Sequence, residues 1–170
     1  MIRRGLMLGL WLLSGSLTAA PLLTAQSLDA RAAIMAGQRW VSICWSLDCP
    51  ACIRELGELK SLLPQVDRER LLLINTDADA DREQEQQQVL AQLGLTALPQ
   101  LSFADGQEQQ GRFLLDPAWY GELPRTFFID EKGNWKGKSG LVEQQWLRQW
   151  LAQDEASKQT AQQAPLIHQQ

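Results

Sequence analysis

Histidine is nearly absent from this chain. The single copy, His168, is the third residue from the C-terminal end, which leaves few nitrogen donors for a zinc or copper site. No metal, flavin or nucleotide motif is present, and no internal repeat. Basic character is also lacking: 16 Lys and Arg face 20 Asp and Glu, for a formal charge of −4. No basic patch marks a nucleic-acid surface, so nucleic acid is not an expected partner. Long apolar runs are missing too. The 13-residue uncharged stretch Gly5–Leu17 falls short of the roughly 18 or more residues expected of a spanning helix. Cysteine is scarce, with three copies, too few for a disulfide scaffold.

What is there begins with an address. Met1-Ile2-Arg3-Arg4 carries two positive charges, the uncharged stretch follows, and small residues lead to Leu23-Thr24-Ala25. This is the plan of a secretory signal peptide. Cleavage is expected after Ala25. A cut after Ala20 would leave Pro21 at the new N-terminus and is the less favoured choice. An uncleaved membrane anchor is the alternative. No cysteine lies near the cleavage region, which argues against a lipid anchor. The domain plan is therefore a signal peptide over 1–25, one domain over 26–152 and a polar, Gln-rich, disordered tail over 153–170. Removing residues 1–25 takes away two Arg and no acid, so the charge moves from −4 to −6. The expected compartment is the periplasm. In an oxidising compartment, a chain with a single expected disulfide uses it for chemistry rather than as a staple.

Strands and helices alternate along the domain. Residues 26–38 read as a partly helical lead-in stopped near Gly37. Residues 39–45 form the first strand, 50–63 a helix closed by Pro64, and Leu71–Asn75 a buried parallel strand. Residues 81–93 form a surface helix stopped at Gly94. Residues 95–123 are broken by Pro99, Gly106, Gly111 and Pro117, and Phe113-Leu114-Leu115 reads as a strand or one helical turn. Thr126–Asp130 is a strand, Lys132-Gly133-Asn134 a turn, and Trp135–Lys138 a returning strand. Val142, Trp146, Leu147, Trp150 and Leu151 have helical spacing over a closing helix at 142–152. This order predicts an α/β sandwich with a central mixed sheet flanked by helices.

The chemistry sits in Cys49-Pro50-Ala51-Cys52. These residues follow the apolar run Trp40–Trp45 and open the first long helix, and a Cys-x-x-Cys at such a junction is a redox device. The helix amides and dipole favour a thiolate at Cys49, and the thiolate is the attacking species in disulfide exchange. Cys52 is placed to resolve the mixed disulfide. Pro50 fits the first helical position, where its missing N–H would be unpaired anyway. Cys44 reads as an inert core thiol, with a third redox cysteine as the alternative.

The stretch Val41-Ser42-Ile43-Cys44-Trp45-Ser46-Leu47-Asp48-Cys49-Pro50-Ala51-Cys52-Ile53-Arg54-Glu55-Leu56, together with Leu123-Pro124-Arg125-Thr126-Phe127-Phe128-Ile129-Asp130-Glu131-Lys132-Gly133, resembles the thioredoxin fold. Within it, the likeness is to the TlpA/ResA-like exported thiol–disulfide oxidoreductases, over roughly residues 35–152. The resemblance implies a thioredoxin-like sandwich with a redox disulfide between Cys49 and Cys52. It implies a cis Leu123-Pro124 bond, with Pro124 beside the sulfurs and the Leu123 backbone free to pair with an extended substrate. Glu55 matches an acidic position of the exported subfamily, where it would handle the proton of Cys52; a solvated helix residue is the other reading.

Four departures stand out. Asp48 replaces the Trp that usually precedes the first cysteine, and an anion facing the sulfur would oppose thiolate formation; a solvated acid would not. Ile43 stands where cytosolic thioredoxins carry a buried acid. Gly57 replaces a Pro that often kinks the helix. Tyr120 lies closer to Pro124 than is usual.

The resulting expectation is an exported enzyme that needs no cofactor. It would reduce disulfides of other periplasmic proteins, apocytochromes c among them, and draw electrons from a membrane thiol relay. A periplasmic disulfide-forming oxidant is the runner-up. A copper metallochaperone using the two sulfurs is the reading from a different class.

Overall fold

A computed structural model describes residues 20–152. The expected leader up to residue 19, and the tail from 153 with His168, lie outside the described residues.

Five strands form one mixed sheet: β1 Trp40–Trp45, β2 Leu71–Asn75, β3 Gln100–Ser102, β4 Arg125–Ile129 and β5 Trp135–Ser139, in the order β3-β2-β1-β4-β5. β1 and β2 are parallel, as are β2 and β3, whereas β4 runs antiparallel to β1 and β5 to β4. β1 is central and buried at all six positions, as suits a strand covered on both faces. Its side chains alternate. Val41, Ile43 and Trp45 join Leu56, Leu59, Leu73, Leu90 and Leu147 on one face. Trp40 and Cys44 join Leu72, Ile74, Phe103, Trp119 and Phe127 on the other. Cys52 belongs to the first cluster and Cys44 to the second. The sheet therefore separates the third cysteine from the pair.

The helices are α1 Ala25–Ile34, α2 Pro50–Leu59, α3 Glu83–Leu93, α4 Glu108–Leu115 and α5, helical over 144–152. α2, α3 and α5 supply the first cluster, with Leu56, Leu90 and Leu147 as their inward residues. α4 supplies Leu115 to the second, and Met35 joins it just past α1. α2 ends at Leu59, earlier than the expected 63, and the chain continues into a 3-10 turn at Leu63–Gln65 around Pro64. α3 ends at Gly94 in the left-handed conformation, as expected of a C-terminal glycine. The β4–β5 hairpin is drawn tight by Asp130. Its Oδ2 accepts from the Asn134 side-chain amide and its Oδ1 from the backbone N–H groups of Asn134 and Lys132, and these contacts, led by the Asn134 side chain, hold its carboxyl below the usual range.

Residues 21–24 are part of this fold. Leu22 bridges Ser102 in parallel; the Ser102 N–H donates to Pro21 O at 2.9 Å and the Leu23 N–H to Ser102 O at 2.7 Å. Leu23 is buried in the second cluster. Thr24 caps α1 in a reciprocal box with Ser27. The boundary drawn after Ala25 runs through the first residue of α1. Among the described residues, no helix is long and apolar enough to cross a membrane.

Candidate active site

β1 delivers the chain to the site. After Trp45 the backbone turns through residues 46–48 and enters α2 at Pro50, with Cys49 as the N-cap. The Cys52 N–H donates to Cys49 Sγ at 3.1 Å. A helix N-terminus has backbone donors with no partner inside the helix, and here one of them is spent on sulfur. Cys49 and Cys52 are joined in a disulfide, with Cα atoms 5.2 Å apart. Their exposure differs: Cys49 is half-buried, while Cys52 is 1 % exposed. An incoming group meets Cys49 first.

The turn before Cys49 is clamped by the connection from β2 to α3. Asp77 accepts from the Leu47 N–H with both carboxylate oxygens, at 3.2 and 3.3 Å. Asp77 is itself fixed by the Asn75 side-chain amide at 2.8 Å. Thr76 donates its N–H and its hydroxyl to Trp45 O. Arg82 reaches Asp48 with two nitrogens, Nη1 to Oδ2 at 2.6 Å and Nη2 to Oδ1 at 3.1 Å. Asp48 is ion-paired yet still faces solvent, its side chain 76 % exposed, and the hydrogen bond from Arg82 holds its carboxyl below the usual range.

Glu55 is buried, 1 % exposed. Its Oε1 accepts from Thr126 Oγ1 at 3.4 Å and from the Val142 N–H at 3.3 Å, while Oε2 has no partner. Burial pushes its carboxyl up to about 7, against the smaller downward pull of those two donors. The reading of Glu55 as a solvated helix residue is corrected: α2 turns it inward, one turn after Cys52. Its position also bears on Ile43. Ile43 pairs across the sheet with Thr126, the residue that donates to Glu55. A buried carboxyl carried by the helix thus lies next to the Ile43–Thr126 pair.

Leu123-Pro124 is a cis peptide bond. The register places Arg125 opposite Cys44, so Pro124 and Leu123 fall at the end of β1 from which the disulfide turn departs. Leu123 packs against both core clusters. The segment before it is anchored by side-chain hydrogen bonds. Asp116 accepts from Arg125 Nη2 at 2.7 Å and from the Ala118 N–H, and buried Trp119 donates its ring N–H to Glu122 O. Tyr120, between these anchors, is 89 % exposed.

Cys49, Cys52, Glu55, Leu123 and Pro124 are brought to one end of the sheet. Sequence reasoning missed Asp77, Arg82, Thr126 and Val142. The first two lie some thirty residues downstream of the turn they hold, and only topology brings them back. No group of three or more metal-ligating residues exists among the described residues.

No protein-family model and no curated protein matches the chain. Solved structures do match it in shape. StoA from Bacillus subtilis aligns with a TM-score of 0.52 at 22 % identity, covering 68 % of this chain and 83 % of that one. A secreted Mycobacterium tuberculosis disulfide oxidoreductase homologous to E. coli DsbE aligns with a TM-score of 0.51 at 21 % identity, covering 71 % and 85 %. A putative thioredoxin from Neisseria meningitidis aligns with a TM-score of 0.53 at 18 % identity, covering 80 % and 87 %. At these identities the likeness defines the fold alone. The chain has a thioredoxin-like α/β sandwich with a disulfide-forming cysteine pair at the start of its second helix.

Proposed function

We propose that the protein is an exported thiol–disulfide oxidoreductase that reduces disulfides of other periplasmic proteins. The observation that carries this reading is the asymmetry of the pair: Cys49 half-buried at the helix N-terminus, Cys52 buried one turn inside. In the reduced protein the Cys49 thiolate attacks a substrate disulfide. One substrate sulfur leaves as thiolate, and Cys49 is held in a mixed disulfide. Cys52, losing its proton, attacks the Cys49 sulfur and releases the second substrate thiol. The substrate gains two electrons and the Cys49–Cys52 pair becomes a disulfide, which a dithiol donor must reduce again. A membrane thiol relay is the proposed donor, and apocytochromes c are proposed substrates.

Glu55 is the proposed proton acceptor for Cys52. A carboxyl poised near neutral pH takes and returns a proton without a large energy gap. Leu123 and Pro124 form the proposed edge for an extended substrate, as in strand addition. Export by an N-terminal signal peptide remains part of this proposal; a cut after Ala20 would leave Leu23 and Thr24 in place.

Mixed-disulfide trapping tests the assignment. Cys52→Ser is expected to accumulate a covalent complex with a substrate protein, and Cys49→Ser is not. Equal trapping by both variants overturns the roles. Direction is read from the reduction potential of the couple. A value near about −270 mV, as in thioredoxin, supports a reductase, and one near about −120 mV an oxidant.

A further inference from the structure

We infer that Arg82 is a positioning residue for the thiol chemistry: it binds the Asp48 carboxylate and keeps that negative charge from acting on Cys49. The inference rests on the proposed role of Cys49 as the attacking thiol.

Asp48 adjoins Cys49, and an uncompensated anion there disfavours the thiolate by like-charge repulsion. Of the other charged groups near this end of α2, Arg54 is exposed on the helix itself, and several more are engaged elsewhere. Asp77 is held by Leu47 and Asn75, Glu55 by Thr126 and Val142, and Arg125 by Asp116 and Ser139. Asp79 caps the 3-10 turn at Ala80–Arg82 through the Asp81 N–H. Glu122 is exposed. Glu85 shares Arg82, accepting from its Nε at 3.2 Å. The charged pair adjoining Cys49 in the chain is Asp48 with Arg82, and it lies on the surface.

The pairing is two-pronged, which fixes direction as well as distance. Arg82 is in turn set by its place: it closes the 3-10 turn directly before α3, in the same connection that grips Trp45 and Leu47 through Thr76 and Asp77. One connection thus holds the backbone before Cys49 and neutralises the side chain beside it. Exposed ion pairs contribute little to stability, typically about 0–1 kcal/mol, so the fold gives no strong reason for this geometry. A thiol whose reactivity follows its local charge does.

The test is the rate of iodoacetamide alkylation of Cys49 in the reduced protein, followed by mass spectrometry between pH 5 and 9. Arg82→Gln is expected to slow alkylation severalfold at neutral pH and to displace the rate profile to higher pH. Adding Asp48→Asn to Arg82→Gln is expected to restore the profile, because the anion is gone. Arg82→Lys, which keeps the charge, is expected to lie between. An unchanged profile in Arg82→Gln overturns the inference. So does a slow double variant with native circular dichroism, which would make Arg82 merely structural. Alkylation reads a thiolate without requiring turnover. A wild-type protein that is alkylated normally but does not reduce insulin would defeat the proposed function and leave this inference standing.

Discussion

At the scale of single residues, burial decides two groups that sequence alone leaves ambiguous. Cys44 is fully buried, on the sheet face away from Cys52. Burial drives its thiol far above the usual range, so it carries no thiolate with which to join the exchange. Glu55 is buried with one oxygen unpaired, and its carboxyl rises from 4.5 to about 7. Between those values the folded protein binds a proton that the unfolded chain has lost, so stability falls as pH rises through this window. The full loss is on the order of 3–4 kcal/mol. Urea unfolding of the oxidised wild type is expected to show this decline between pH 5 and pH 8. Glu55→Gln, uncharged at both, should flatten it. An equal slope in the two proteins would place the titration elsewhere.

At the scale of elements, the strong patterns were legible and the weak ones were not. β1, β2 and the β4–β5 hairpin announce themselves by continuous apolar runs and a Gly-Asn turn. α2 is marked by Cys49-Pro50 and α3 by Gly94. α4 escaped because Gly111 interrupts it and no side chain caps it; its last turn is the Phe113-Leu114-Leu115 run that reads equally as a strand. β3, three residues long, is too short for any period to show. The disulfide was legible from its motif, but the groups that clamp and neutralise its approach come from distant segments and carry no local signal. Gly111 has a physical reason to be there. A Cβ at this position would meet the Phe103 ring at 2.7 Å, and Phe103 is buried in the second cluster. Gly111→Ala would gain up to about 1 kcal/mol of helix propensity. Overpacking against the ring costs about 1–3 kcal/mol, so the expected net result is a lower Tm by calorimetry. A raised Tm would show that the ring yields freely.

At the scale of the whole molecule, the N-terminal segment closes a structure whose redox site is elsewhere. A chain beginning at Pro21 keeps the Leu22–Ser102 bridge, buried Leu23 and the Thr24 cap; a chain beginning at Gln26 loses all three. Burying a leucine is worth about 1.5–3 kcal/mol and a threonine cap about 0.5–2 kcal/mol. The shorter chain is therefore expected to unfold several degrees lower in calorimetry. Equal Tm values would mean that residues 21–24 add nothing.

The same segment decides how the sheet ends. At the β5 side the outermost strand carries Lys136 and Lys138, charges of the kind that discourage another strand from adding on. At the β3 side the outermost strand, Gln-Leu-Ser, carries no charge, and its protection is the chain itself, Pro21–Leu23 laid along Ser102. Two cuts five residues apart would therefore yield proteins of different colloidal character. The longer has both sheet margins guarded. The shorter offers the Gln100–Ser102 margin to its neighbours and is the one to find in the aggregate at high concentration.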